Sequence, residues 1–552
     1  MNLTLSHLLV LPVVLPLVTA ALLLLLGHGR QRLKSIVNVG ATLMGLLVAV
    51  EILRRVDAGG ARGTIGVYLA ANWEAPFGIA LVADRLSALM LVLAGVVSLG
   101  SAVYSTAAWS KAGVYFHPLF QIQLMGLHGA FLTGDLFNLF VFFEVMLAAS
   151  YGLHLHGSGW ARVHSGLHYI AVNLLASSLF LIGLAMLYGV MGTLSMADIA
   201  AKIPHVRESD RGLLLAGTSI LAVAFLTKAA IWPLNFWLVR AYTAASAPVA
   251  ALFALMTKVG IYTLLRLWTL LFSADAGPSA LFGAPVFVYG GLATLSFGVL
   301  GLVASTHLGR IAGFSILVSS GTLLAAIGLG VPSVTSAALY YLLSSTLGAS
   351  ALFLLVELIH RAGTGDLATL PDVDVEPSED TNLDDNEEAL VGREIPMSRA
   401  LLGLAFLACA AIVAGVPPLS GFIAKLTMMT SLLSPSGLGV AHASGAALVR
   451  GWLFGMLLLS GLFAVIALSK AGMRHFWSAT DRPMAHVKVS EGAPVLALLL
   501  ACVWLTAFAE PVLRYTGATA AGLHAPAAYI EAVLSTRPRP GPTRPAVEGG
   551  AP

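Results

Sequence analysis

Four charged residues stand alone inside long apolar runs: Glu144 in FNLFVFFEVMLAASYGL, Lys228 in LAVAFLTKAAIWPL, Lys258 in ALFALMTKVGIYTLL and Lys425 in PPLSGFIAKLTMM. A charge at the middle of a membrane helix costs roughly 3 kcal/mol or more, so it seldom persists there without a role. Desolvation lowers the pKa of an amine and raises that of a carboxylic acid. Groups held in that way can exchange protons near neutral pH. The chemistry these residues point to is proton movement through a membrane.

Glu144 is expected to be a proton-carrying carboxylate partnered by Lys228. Pro233 follows Lys228 by five residues and should break its helix, freeing carbonyls to solvate the amine. At about 4 Å and an effective dielectric near 20, such a pair is worth on the order of 4 kcal/mol. Forming or breaking it would move a lysine pKa by units, each worth roughly 1.4 kcal/mol. Lys258, thirty residues after Lys228, is placed to receive the proton that Lys228 releases. Lys425 follows the break PPLSG at 417–421 and mirrors Lys228. A purely structural role stands beside each assignment: an ion pair for Glu144, an interfacial lysine for Lys258.

His128, His307, Tyr340 and Tyr341 form a weaker set, able to shuttle protons or to hold a water chain. Asp84-Arg85 reads better as a helix cap or anchor, Asp135 as a turn residue, and His154, His156, His164 and His168 as interface histidines. The sequence contains no Walker motif, no GxGxxG within a βαβ unit, no cysteine ligand set and no HExxH. No cofactor or metal chemistry is expected.

The elements that position these residues must be membrane helices. Of 552 residues, 58% are hydrophobic and 10% charged, and the mean hydropathy is +0.88. A spanning helix needs about 20 apolar residues. Such stretches fall near 3–27, 35–53, 79–103, 113–132, 137–156, 168–191, 212–239, 245–272, 286–304, 311–330, 336–359, 399–432, 449–471 and 490–512. The fold class is an all-α polytopic membrane protein of about fourteen transmembrane helices. The 56 glycines suit close helix packing in lipid. Cys409 and Cys502 are too few for a cluster or disulfide framework, and a net charge of +3 carries no nucleic-acid signature.

The seventh and twelfth spans read as broken, and paired broken helices point to a transport site. Their separation suggests two inverted five-helix repeats, helices 4–8 and 9–13. The domains are then 1–112 (helices 1–3), 113–272 (first repeat), 286–471 (second repeat, with an acidic insertion at 361–398), 472–512 (the last helix and its preceding loop) and a Pro-rich tail at 513–552. The insertion reads as a solvated linker. Arg30, Arg32 and Lys34 after the first span, and Lys470, Arg474, Arg482 and Lys488 before the last, place both breaks on the cytoplasmic side and both termini outside.

The segments HGAFLTGDLFNLFVFFEVML, FLTKAAIWPLNFWL, APVAALFALMTKVGIY and PPLSGFIAKL resemble the antiporter-like membrane subunits shared by complex I and the multisubunit cation/proton antiporters. The resemblance covers roughly residues 80–470. Within that superfamily the branch most resembled is the D-type chains of the Mrp antiporters, especially the Pha-type variety associated with potassium/proton exchange. A complex I subunit would more usually show a histidine near Asn235 and a Pro-Asp-Ala-His run at Val239-Arg240-Ala241-Tyr242. The resemblance implies fourteen helices with broken helices 7 and 12. It makes Glu144, Lys228, Lys258 and Lys425 the fifth-, seventh-, eighth- and twelfth-helix members of a polar axis. Ser344, Ser345 and Gly348 stand where wider-family members often place His and Lys, so the relay between the halves would depend on water and hydroxyls.

The functional expectation is a membrane subunit of a K+ (or Na+)/H+ antiporter in a bacterial inner membrane, a secondary transporter and not an enzyme. Its expected partners are a second large antiporter-like chain, small membrane subunits, H+, K+ or Na+, and the lipid bilayer. The alternative is a proton-pumping subunit of an NADH:quinone oxidoreductase or membrane-bound hydrogenase. A lipid-linked transferase would need a motif-bearing outside loop, and none is evident.

Overall fold

The computed structural model describes residues 5–27, 29–60, 63–364, 397–434, 446–477 and 487–538. Most of the acidic insertion and the last residues of the Pro-rich tail lie outside these. The chain runs through α1 Leu5–Leu8, α2 Leu11–Leu25, α3 Gln31–Asp57, α4 Arg85–Ser105, α5 Phe116–Leu132, α6 Leu136–His154 and α7 Trp160–Met191. It continues through α8 Met196–Lys202, α9 Glu208–Lys228, α10 Leu238–Ala244, α11 Ala247–Leu271, α12 Ala284–Ala304, α13 Leu308–Gly328 and α14 Pro332–Thr364. After the insertion come α15 Met397–Ala414, α16 Ser420–Leu433, α17 Ala446–Gly472, α18 Val489–Ala507, α19 Ala509–His524 and α20 Ala527–Ser535.

Among the described residues, thirteen helical segments are long and apolar enough to cross a membrane, and the 17-residue α5 stands where a further span is expected. Helices suit this environment because each satisfies its backbone hydrogen bonds internally. A small antiparallel hairpin, β1 Gly66–Leu69 with β2 Ala80–Ala83, joins α3 to α4, Gly66 pairing with Ala83 and Leu69 with Ala80. The segment from 513, read from the sequence as tail, instead begins as α19 and α20. Neither is apolar for long enough to resemble a span, so the hydropathy pattern gave no sign of them.

Two spans are interrupted beside a lysine. α9 ends at Lys228, the Trp232–Pro233 peptide is cis, and helix resumes at Leu238. The Trp232 N–H freed by this break donates to Thr294 Oγ1 of α12 at 2.8 Å, which is how irregular backbone survives away from water. α15 ends at Ala414, Pro417–Pro418 is cis, and α16 starts at Ser420.

Burial sorts the helices into layers. The most hydrophobic window of α11 is wholly enclosed by protein, and α13 and α14 nearly so. The outer helices present apolar side chains outward, among them Leu25, Leu300 and Leu404. α14 packs against α11, α13, α16, α18 and α19.

Candidate functional site

Lys258 lies halfway along α11 and is fully buried. Its Nζ donates to Ser319 Oγ of α13 at 2.6 Å, and Ser319 donates to Ser345 Oγ of α14 at 2.9 Å. Tyr341, one turn earlier on α14, is buried on the same helix. Next to Ser345, Ser344 shares a hydrogen bond of 2.8 Å with Ser420 Oγ, the first residue of α16. Successive helical residues point about 100° apart. α14 thus offers one hydroxyl to α13 and one to α16, and hydroxyls can both donate and accept.

Lys425 follows Ser420 by five residues, about 7.5 Å along α16. Its Nζ donates to Ala414 O at 2.9 Å and to Ser460 Oγ of α17 at 3.2 Å. Ala414 ends α15, so the helix break supplies a free carbonyl to a buried ammonium. Gly415, at φ +77°, turns the chain there, and a Cβ on it would sit 2.6 Å from Lys425 Cδ. Only glycine satisfies both the backbone and the passing side chain.

Lys228 and Glu144 differ from the expected closed pair. Lys228 Nζ is 3.5 Å from Ser177 Oγ of α7 and 5.5 Å from the centre of the Phe143 ring. Glu144 on α6 is half-buried, its Oε1 has no hydrogen-bond partner, and it acts on Lys228 electrostatically without an N···O contact within 4.0 Å. The physical reason is aromatic packing. Phe143, Phe180 and Phe225 interlock between α6, α7 and α9, with Phe180 and Phe225 centroids 4.8 Å apart. Gly260 brings α11 against this end of α9, where a Cβ would meet Ala229 N at 2.8 Å.

The weaker candidates separate. Tyr341 is buried on α14 near Ser345, and Tyr340 donates to Leu505 O at 2.8 Å and anchors α18. His128 bonds Pro12 O at 2.8 Å, in the N-terminal bundle and away from the lysines. His307 caps no hydrogen bond at the exposed start of α13. His154 and His156 are buried against Ser165 and the Trp109 carbonyl, whereas His164 and His168 are exposed on α7. Asp84 and Asp135 are helix caps, accepting from Ser87 N at 3.0 Å and Asn138 N at 2.9 Å.

Two buried ionic groups were not singled out from the sequence. Arg266 on α11 forks onto Asp84, the closer contacts being 2.5 and 2.7 Å. Near the other end of α11, Glu357 accepts from Trp109 Nε1 at 2.8 Å, and Arg361 joins it at 3.6 Å to Glu491 at 2.8 Å. Arg266 and Glu357 both interrupt apolar runs, LLRLWTLL and LFLLVELI, and the criterion that found the four axis residues applies equally to them.

The sequence profile described as "NADH:quinone oxidoreductase/Mrp antiporter, TM" matches residues 133–449, which include all four axis residues and the serine chain. A protein of Rhizobium meliloti, named as the probable D-type chain of a K(+)/H(+) antiporter, is 50% identical over 542 residues, covering 97% of this chain and 99% of that protein. The corresponding D-type chain of a Na(+)/H(+) antiporter from Alkalihalophilus pseudofirmus is 32% identical, covering 96% and 99%. Among solved structures, a chain of the Mrp complex from a Dietzia species superposes with a TM-score of 0.80 at 28% identity, covering 96% of this chain and 100% of that one.

Proposed function

Since this chain belongs to the NADH:quinone oxidoreductase/Mrp antiporter transmembrane family, we propose that it is a membrane subunit of a multisubunit K+ (or Na+)/H+ antiporter. Protons move along a buried Glu/Lys axis and drive monovalent cation efflux from a bacterial cell. The observation that carries this reading is the hydroxyl chain from Lys258 through Ser319 and Ser345, with Ser344 and Ser420 continuing toward Lys425.

Glu144 and Lys228 form the first station. Their separation leaves the lysine free to lose or gain a proton without first breaking a tight ion pair, while the carboxylate still biases it electrostatically. Lys258 is the central station and Lys425 the last. The two helix breaks, each beside a lysine, support two inverted five-helix repeats at helices 4–8 and 9–13. The 50% identity to a protein named as part of a K+/H+ antiporter favours potassium over sodium and a transporter over a redox enzyme. Companion subunits, among them a second large antiporter-like chain, complete the cation path, and both termini lie outside the inner membrane.

Tagging the chain at its native locus, solubilising mildly and identifying what co-purifies tests this assignment. Small hydrophobic subunits with a second antiporter-like chain are expected. Iron–sulfur or flavin subunits would overturn it and make the same residues the path of a respiratory pump.

A further inference from the structure

The second half of α11 carries a polar stripe that the lysine axis does not use. Lys258, Tyr262 and Arg266 are spaced four residues apart, so they share a face, each about 6 Å beyond the last, and all three are buried. Tyr262 donates its hydroxyl to Phe131 O at 2.7 Å and lies 3.3 Å from Ser87 Oγ. Ser87 accepts from Arg266 Nη2 at 3.3 Å. Arg266 forks onto Asp84, Nη1 to Oδ2 at 2.7 Å and Nη2 to Oδ1 at 2.5 Å. The ring of Tyr529 on α20 lies over the guanidinium, 5.2 Å from Cζ to its centre.

Beyond this pair is a cavity of about 60 Å3 bounded by Asp84, Arg85, Arg266, Thr269, Thr519 and Tyr529. A space of that size, with the polar groups of Asp84, Arg266 and Thr519 on an otherwise largely apolar wall, has room for water. One side of the pair faces this cavity, and the other faces Ser87 and Tyr262, which lies one helical turn from Lys258 on α11. Two features of arginine matter at such a junction. It has no neutral form at physiological pH, so it cannot relay a proton. Its fixed charge also raises the energy of any cation passing nearby in a medium of low dielectric.

We propose that the Arg266–Asp84 pair is a leak barrier: it stops protons and alkali cations passing between this cavity and Lys258 through Ser87 and Tyr262. Asp84 holds the guanidinium across the junction by two-point contact, and the charge of Arg266 does the excluding. The inference rests on Lys258 belonging to the proton path.

The test uses the assembled complex in liposomes, with passive proton flux followed after a pH jump in choline medium free of K+ and Na+. Arg266→Gln should raise the flux at least several-fold, while Arg266→Lys, which keeps the positive charge, should stay close to wild type. Adding Tyr262→Phe to Arg266→Gln should return the flux toward wild type, because the hydroxyl bridge is gone. A tight Arg266→Gln complex, or equal leaks from Arg266→Gln and Arg266→Lys, would make the pair a structural tether and overturn the proposal. If Arg266→Gln does not assemble, the neutral pair Asp84→Asn/Arg266→Gln carries the same test. Lys258→Ala separates the two ideas: normal cation-dependent exchange by that variant removes the path itself, whereas its loss beside a tight Arg266→Gln removes only the barrier.

Discussion

Lys258 and Ser319 are joined by a 2.6 Å hydrogen bond between α11 and α13, and this contact starts a route of side-chain hydrogen bonds from a buried axis lysine to α14. A hydrogen bond to a charged group is worth about 1.5–3 kcal/mol. Ser319→Ala should therefore slow cation-dependent proton exchange by roughly tenfold or more, while Ser319→Thr, which keeps the hydroxyl, should retain most of it. Dye-reported exchange in everted vesicles reads both. Equal rates for Ser319→Ala and wild type would remove the serine chain from the path.

How much of this was legible beforehand follows from what each residue does. Glu144, Lys228, Lys258 and Lys425 announce themselves because a lone charge in an apolar run is expensive whatever the fold. The breaks after Lys228 and before Ser420 are written in Pro233 and in PPLSG. The hydroxyl bridge is readable only in part: the family resemblance points to hydroxyls at Ser344 and Ser345, not to their partners Ser420 and Ser319. Serine is unremarkable in a membrane helix, and only the packing of α14 between α13 and α16 gives Ser344 and Ser345 different partners. The expected Glu144–Lys228 contact fails for a related reason, since the spacing of charges along the chain says nothing about Phe143, Phe180 and Phe225 filling the space.

Glu144→Ala and Lys228→Ala should each abolish exchange while leaving the complex assembled. Because the two groups are not in contact, neither variant strands a tightly bonded partner, and the membrane content of the complex should match wild type. Blue-native gels paired with vesicle exchange make the comparison. Normal exchange by either assembled variant would strike that residue from the axis.

Gly260→Ala should destabilise the protein by about 1–3 kcal/mol, the range for overpacking a tight contact. The added methyl would stand 2.8 Å from Ala229 N, so the displaced backbone is the end of α9 that carries Lys228. Exchange should fall together with the melting temperature of the purified complex. An unchanged melting temperature would mean that the α9–α11 approach is looser than described.

Asp135 offers a pH test at the edge of the membrane. Burial raises its carboxyl above the ordinary value, and the backbone N–H groups of Asn138 and Phe137 offset this only in part. A raised folded-state pKa favours the protonated form, so the contribution is present at low pH and is lost as pH rises through that pKa. At neutral pH the ionised side chain is buried at a cost. Asp135→Asn keeps the cap and removes the charge, so it should raise the melting temperature at pH 7 by an increment that shrinks on acidification, whereas Asp135→Ala loses the cap at a cost of about 1 kcal/mol. Melting curves from pH 7 downward distinguish these outcomes, and an Asn variant less stable than wild type at pH 7 would contradict the account.

The most direct test of the central claim is cation-dependent proton exchange by the reconstituted complex carrying Lys258→Ala. In the proposed path, Lys258 is the point where the axis meets the hydroxyl chain leading toward Lys425. An assembled variant with no K+- or Na+-dependent proton movement is the predicted result. Exchange at the wild-type rate would contradict proton conduction through the buried axis.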